Sequence, residues 1–125
     1  MSADAAAGSA PSREVLRQLK IKTGAVKRLI REHELDLHDV EKQRTRIAEL
    51  RAKEGVDGAD IRKQNEVLEE ALQMIPFTEG RLKKAAEELN GIVQAEEKAG
   101  NKAPELDDAK KAVLEAHAIV PLLGM

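Results

Sequence analysis

The chain has 125 residues, 35 % of them charged and 42 % apolar, with a formal net charge of −2. It holds no Cys, which excludes disulfide and thiolate chemistry and points to a reducing compartment, the cytoplasm. Its one aromatic is Phe77; the core must then be Leu, Ile, Val and Ala, which suits helices meeting along narrow seams, while a charge near zero gives no overall field for nucleic acid.

Residues 1–11 are rich in Ala, Ser and Gly. They lack the basic and apolar regions of a signal peptide and the Arg of a transit peptide, and read as a disordered lead-in. No later apolar run approaches the roughly 20 residues of a membrane span, so no membrane partner is expected.

The first helix is expected over about 12–53, with Ser12 as its N-cap. Its seam, spaced alternately by four and three residues, reads Leu19, Thr23, Val26, Ile30, His33, Leu37, Val40, Arg44, Ile47 and Arg51. The glycines of Gly55-Val-Asp-Gly58 stop it and turn the chain. The second helix is expected over about 59–99, capped by Asp57 or Asp60. Its seam reads Ile61, Asn65, Leu68, Leu72, Ile75, Glu79, Leu82, Ala86, Leu89, Val93 and Glu96.

Pro76 falls inside that second seam. A proline in a helix interior removes one backbone bond and crowds the preceding turn, at about 3 kcal/mol or more. The seam nevertheless keeps one phase on both sides of it, which predicts one kinked helix rather than two. After the turn at Gly100–Ala103, Pro104 opens a third helix over about 104–120. Its stripe is Leu106, Ala109, Val113, His117 and Val120; Pro121 ends it and residues 122–125 form a tail.

The expected fold is all-α: an elongated antiparallel three-helix bundle over 12–121, with a proline kink in the second helix and a shorter third helix. The basic run Arg13–Arg31 is expected beside the acids of Glu87–Asp108. Such pairs are individually weak and set register more than stability.

The small motifs have structural readings that outweigh functional ones. Lys22-Thr23-Gly24 matches one box of the penicillin-binding serine enzymes, but the companion Ser-x-x-Lys is absent and the tripeptide sits mid-helix. No phosphate-binding Gly-rich loop occurs. His33 and His38 are five residues apart, which does not fit His-Glu-x-x-His, so His33 reads as a seam polar residue and His38 as surface. His117 reads as a seam residue too. The basic run has no aromatics beside it for base stacking. No catalytic constellation, metal site or cofactor is therefore expected.

Three segments together resemble the tubulin-specific chaperone A (tubulin-binding cofactor A) family. They are Gln18-Leu-Lys-Ile-Lys-Thr-Gly-Ala-Val-Lys-Arg-Leu-Ile-Arg-Glu32, Asp60-Ile-Arg-Lys-Gln-Asn-Glu-Val-Leu-Glu-Glu70 leading into Met74-Ile-Pro76, and Arg81-Leu-Lys-Lys-Ala-Ala-Glu-Glu-Leu89. The resemblance covers about Val15 to Ala99. Phe77 departs from it, standing where the family often has an acid after that proline. Leu72 lies where an Arg is common.

The resemblance implies a cytoplasmic protein that is not an enzyme. Such a protein binds and holds β-tubulin after chaperonin release and before pairing with α-tubulin, without nucleotide. β-Tubulin is then the expected partner, with other tubulin-folding cofactors as further candidates and a monomer or weak homodimer as the expected state; association with the cytoskeleton would follow. The alternative class is a structural coiled-coil scaffold or dimerisation protein, against which Pro76 and the short third helix argue.

For an acidic client, the expected contacts are Lys20, Lys22, Lys27, Arg28 and Arg31 of the basic run. Phe77 is added as the one apolar anchor. A second reading stays open at this point: the same bases can pair with Glu87–Asp108 inside the bundle.

Overall fold

The computed structural model describes residues 9–125. They form three helices: α1 Arg13–Ala52, α2 Gly58–Lys98 and α3 Pro104–Ile119. The expected caps form. The Ser12 hydroxyl accepts the Val15 N–H at 3.2 Å, and the Asp57 carboxylate accepts the Ala59 N–H at 3.0 Å. Both satisfy amides that the first turn of a helix leaves free. Gly55 adopts φ 75° in the α1–α2 turn and Gly100 φ 77° in the α2–α3 turn, a region costly for any residue with a Cβ. α2 runs through Pro76 without interruption. Pro104 occupies the start of α3, where its missing N–H is not needed. Val120, held extended by the proline that follows it, is the cap at the other end.

The chain divides into two compact units. Among the described residues the first comprises 9–30 and 80–125, and the second 31–79. In the first, α1 and α2 pack with α3 around Leu19, Val26, Leu82, Leu89, Val113 and Ala116, all 2 % exposed or less. This is the expected seam, with helix three adding its own stripe. Thr23 is buried within it, and its hydroxyl has no hydrogen-bond partner among the described residues.

The end of the expected disordered lead-in and the expected tail both pack on this first unit. Residues 1–8 of the expected lead-in lie outside the described residues. Residues 9–11, however, are fixed: Pro11 is buried and the Ser9 carbonyl accepts the Lys102 N–H at 2.7 Å. The tail is also docked. Leu122 is buried in the core cluster, its N–H donates to His117 Nδ1 at 3.0 Å, and the Leu123 N–H donates to the Glu87 carboxylate at 2.7 Å. Because His117 Nδ1 accepts there, its ring proton sits on Nε2.

In the second unit α1 and α2 face each other as a hairpin joined by the Gly55 turn. Its interior is largely polar. His33 Nε2 donates to Glu79 Oε2 at 2.8 Å, and the Thr78 hydroxyl donates to Asp36 at 2.6 Å. Gln43 Nε2 donates at 2.9 Å to both the backbone and the side-chain oxygen of Gln64. Val40 and Ile47 are its buried apolar residues among those described.

The seam in this unit differs from expectation. Leu37, Arg44 and Arg51 are exposed, while Gln43 is buried and Asp36 and Leu50 are half-buried. After His33 the buried stripe takes a three-residue step where the expected alternation takes four. The stripe therefore takes Asp36, Gln43 and Leu50 in place of Leu37, Arg44 and Arg51 while keeping Val40 and Ile47, the kind of offset a break in heptad spacing produces.

Candidate partner-binding surfaces

A helix that fills its apolar stripe in the core leaves function to its outer faces. On the first unit the expected contacts are Lys20, Lys22, Lys27 and Arg28. Lys20 Nζ lies 3.9 Å from Glu105, and Lys22 Nζ lies 3.5 Å from Glu88. Lys27 Nζ donates to both oxygens of Asp108 at 2.9 and 3.0 Å. Three of the basic residues are therefore engaged with carboxylates of α2 and α3. Arg28 is exposed, and no ion pair engages it among the described residues. The pairing read from the charge pattern thus forms for the lysines, through Glu88, Glu105 and Asp108 rather than the whole acidic stretch.

On the second unit the expected contacts are Arg31 and Phe77. Arg31 is exposed. Phe77, on α2 one residue after Pro76, is 58 % exposed. Phe77 is not alone as an exposed apolar side chain there. Leu35, Leu37, Val67, Leu72 and Met74 of the same unit are also exposed. The sequence reading missed Leu35, Val67 and Met74. The available signal was their position: each is a large apolar residue that lies off the expected seam.

One groove of about 480 Å³ lies on this hairpin. Asp39, Lys42 and Arg46 of α1 form one wall and Val67, Ala71 and Met74 of α2 the other, with Gln43 between. Both walls repeat at three- and four-residue spacing, so each is a single helix face. The arrangement can bind through apolar contact and charge.

Among the described residues no group of three or more His, Asp or Glu gathers as a metal-binding cluster. No described helix is long and apolar enough to cross a membrane.

Comparison with known proteins gives a consistent result. The family model described as Tubulin binding cofactor A matches residues 14–113. Tubulin-folding cofactor A of Arabidopsis thaliana is 35 % identical over 107 residues, covering 85 % of this chain and 94 % of the relative. Tubulin-specific chaperone A of Oryctolagus cuniculus is 41 % identical over 81 residues, covering 65 % of this chain and 74 % of the relative. Among solved structures, the crystal structure of tubulin folding cofactor A from Arabidopsis thaliana superposes with a TM-score of 0.77 at 33 % identity, covering 86 % of this chain and 99 % of that one. The human tubulin chaperone cofactor A structure gives a TM-score of 0.65 at 35 % identity, covering 79 % of this chain and 94 % of that one. The matched region takes in all three segments of the resemblance and most of α3, and the chain belongs to the tubulin binding cofactor A family.

Proposed function

We propose that this protein is a tubulin-folding chaperone of the cytoplasm. It binds and holds β-tubulin after chaperonin release and before assembly with α-tubulin, without nucleotide or catalysis. The observation that carries this reading is the family match over residues 14–113, with relatives named as tubulin-specific chaperones. The surface supports it. A protein that holds a client must offer apolar side chains to cover the client's own exposed apolar area, and the second unit presents Val67, Met74 and Phe77 outward.

Arg28 on the first unit, and Arg31 and Phe77 on the second, are each proposed as contacts. Lys20, Lys22 and Lys27 are engaged by carboxylates; their contribution to binding is proposed to be secondary to bundle register.

The test is a sizing column loaded with the protein and purified tubulin whose α and β chains have been separated. A stable complex with β-tubulin in the absence of nucleotide is expected. A complex with α-tubulin alone, or with neither, would overturn the reading. So would capture that needs ATP or GTP hydrolysis.

A further inference from the structure

The groove on the second unit has two properties that together define what fits it. The first is its apolar wall. Val67 is 42 % and Met74 46 % exposed, with half-buried Ala71 between them, at spacings of four and three residues. Their side chains stand on one ridge of α2. The facing ridge of α1, Asp39, Lys42 and Arg46, is spaced by three and four. A helix laid between two such ridges inserts its own i, i+3, i+4, i+7 row. Each wall is eight residues long, seven steps that span about 10 Å, roughly two turns of an occupant.

The second property is charge. Residues 42–63, the half of the hairpin next to the Gly55 turn, carry seven bases against four acids. Residues 31–41 and 64–79, the other half, carry nine acids against one base. The groove lies across this change of sign: Lys42 and Arg46 on its turn-side portion, Asp39 and Glu70 on the rest. None of the four is engaged in an ion pair among the described residues, in contrast to Lys20, Lys22 and Lys27 of the first unit. Unspent charges of opposite sign at two ends of a groove favour a ligand with the reverse polarity and penalise the opposite orientation.

We propose that this groove receives an amphipathic helix of the tubulin client. The helix sets its apolar stripe on Val67, Ala71 and Met74, its acidic end over Lys42 and Arg46, and its basic end over Asp39 and Glu70. This inference rests on the tubulin reading above and adds the segment chemistry and its direction.

The experiment measures the affinity of the full-length protein and three double variants for purified β-tubulin. The variants are V67S/M74S, K42E/R46E and D39K/E70K. Thermal melting and light scattering run in parallel. The Val67 and Met74 changes and the charge reversals fall on the groove's outer walls, so melting is expected to hold. Each double variant is expected to bind at least about tenfold more weakly, the change that 1.4 kcal/mol of lost contact produces.

Failure of the unmodified protein to bind would defeat the tubulin reading and this inference with it. Binding by the unmodified protein, matched within twofold by all three variants, would defeat this inference alone. Loss confined to V67S/M74S would make the occupant uncharged, and stronger binding by D39K/E70K would make it uniformly acidic; either overturns the proposed polarity. Loss confined to the charge variants would leave attraction without docking and overturns it too. A dimer that the variants convert to monomer with tubulin affinity intact would assign the groove to a second copy.

Discussion

The two units draw on the same pair of helices, yet their interiors are built from different chemistry. In the first, α1, α2 and α3 bury Leu19, Leu82, Leu89 and Val113 almost completely. In the second, two helices alone enclose His33, Gln43 and Thr78, and the apolar residues of α2 there, Ile61, Leu68 and Ile75, are half-buried. Two helices bury only the side chains on the line between them, here Val40, Ile47 and the polar residues; a third is needed to close a wider apolar stripe. Specific hydrogen bonds compensate in the hairpin, because a buried polar group is tolerable only when it is paired. The first unit is therefore where apolar burial stabilises the protein, although Ile21, Leu114 and Leu123 are exposed on it, and the second is where most of the exposed large apolar residues, Val67 and Met74 among them, remain available.

The largest expected effects test that division directly. Leu89→Ala empties a fully buried site, so it should cost about 2–5 kcal/mol. Leu68→Ala removes a side chain already partly in water and should cost about 1 kcal/mol, in proportion to the area it buries. Urea unfolding of both variants measures the difference. Equal losses would mean that the hairpin carries an apolar core as tight as the three-helix unit, and the comparison would collapse.

A smaller effect separates the polar interior from a merely wet one. Thr78 is 3 % exposed and its hydroxyl donates to Asp36 at 2.6 Å. Thr78→Val keeps the shape and removes the donor, which should cost about 1.5 kcal/mol for a bond to a charged acceptor. In a double-mutant cycle with Asp36→Asn, about 1 kcal/mol of this is expected to appear as coupling. Additive losses would show the contact to be energetically idle. Native-state hydrogen exchange should place the amides around it at lower opening energy than those around Leu89.

How far the sequence discloses the molecule follows the same division. Where three helices meet, the apolar stripe is dense: Leu19, Val26, Leu82, Ala86, Leu89 and Val93 are legible as a seam because each is apolar and each is buried. Where two helices meet, the stripe is mixed, and spacing alone favoured Leu37 and Arg44 over Asp36 and Gln43. Asp36 and Gln43 are selected by the partners they find, Thr78 and Gln64, which lie more than twenty residues away in sequence. The docked tail was illegible for a related reason. Leu122 follows a proline and belongs to no periodic pattern, and the partners of the tail, His117 for Leu122 and Glu87 for Leu123, come from two different helices. The candidate surface was legible in part. The basic run was evident, but which bases were already paired depended on where Glu105 and Asp108 fell, and the groove at Val67 and Met74 requires two helices to be placed before it exists.

The family string Lys-Ile-Lys-Thr-Gly offers a further, smaller test. Gly24 is exposed within α1, and a Cβ built there would meet nothing within 4 Å. A glycine in a helix interior is destabilising by roughly 0.5–1 kcal/mol relative to alanine. Gly24→Ala should therefore stabilise by about that amount, read as a higher midpoint of thermal unfolding. Destabilisation would mean that the backbone at Gly24 is constrained in a way its open surroundings do not explain.

The smallest expected effect concerns Lys27, which the sequence alone offers both as a tubulin contact and as an internal pairing residue. Its bond to Asp108 is short, at 2.9 Å, but the two side chains are 48 % and 53 % exposed. Solvent screens a pair of that kind, so Lys27→Met should cost no more than about 0.5 kcal/mol. Reversal to Lys27→Glu sets two acids together and should cost somewhat more. Adding Asp108→Lys to it should recover the loss, because the pair is then rebuilt in the opposite sense. If Lys27 serves register alone, tubulin affinity per folded molecule should be the same in all three variants. If affinity instead falls with both Lys27→Met and the swapped pair while the melting temperature holds, the ammonium group itself contacts the client. The first unit would then contribute to recognition as well as to stability.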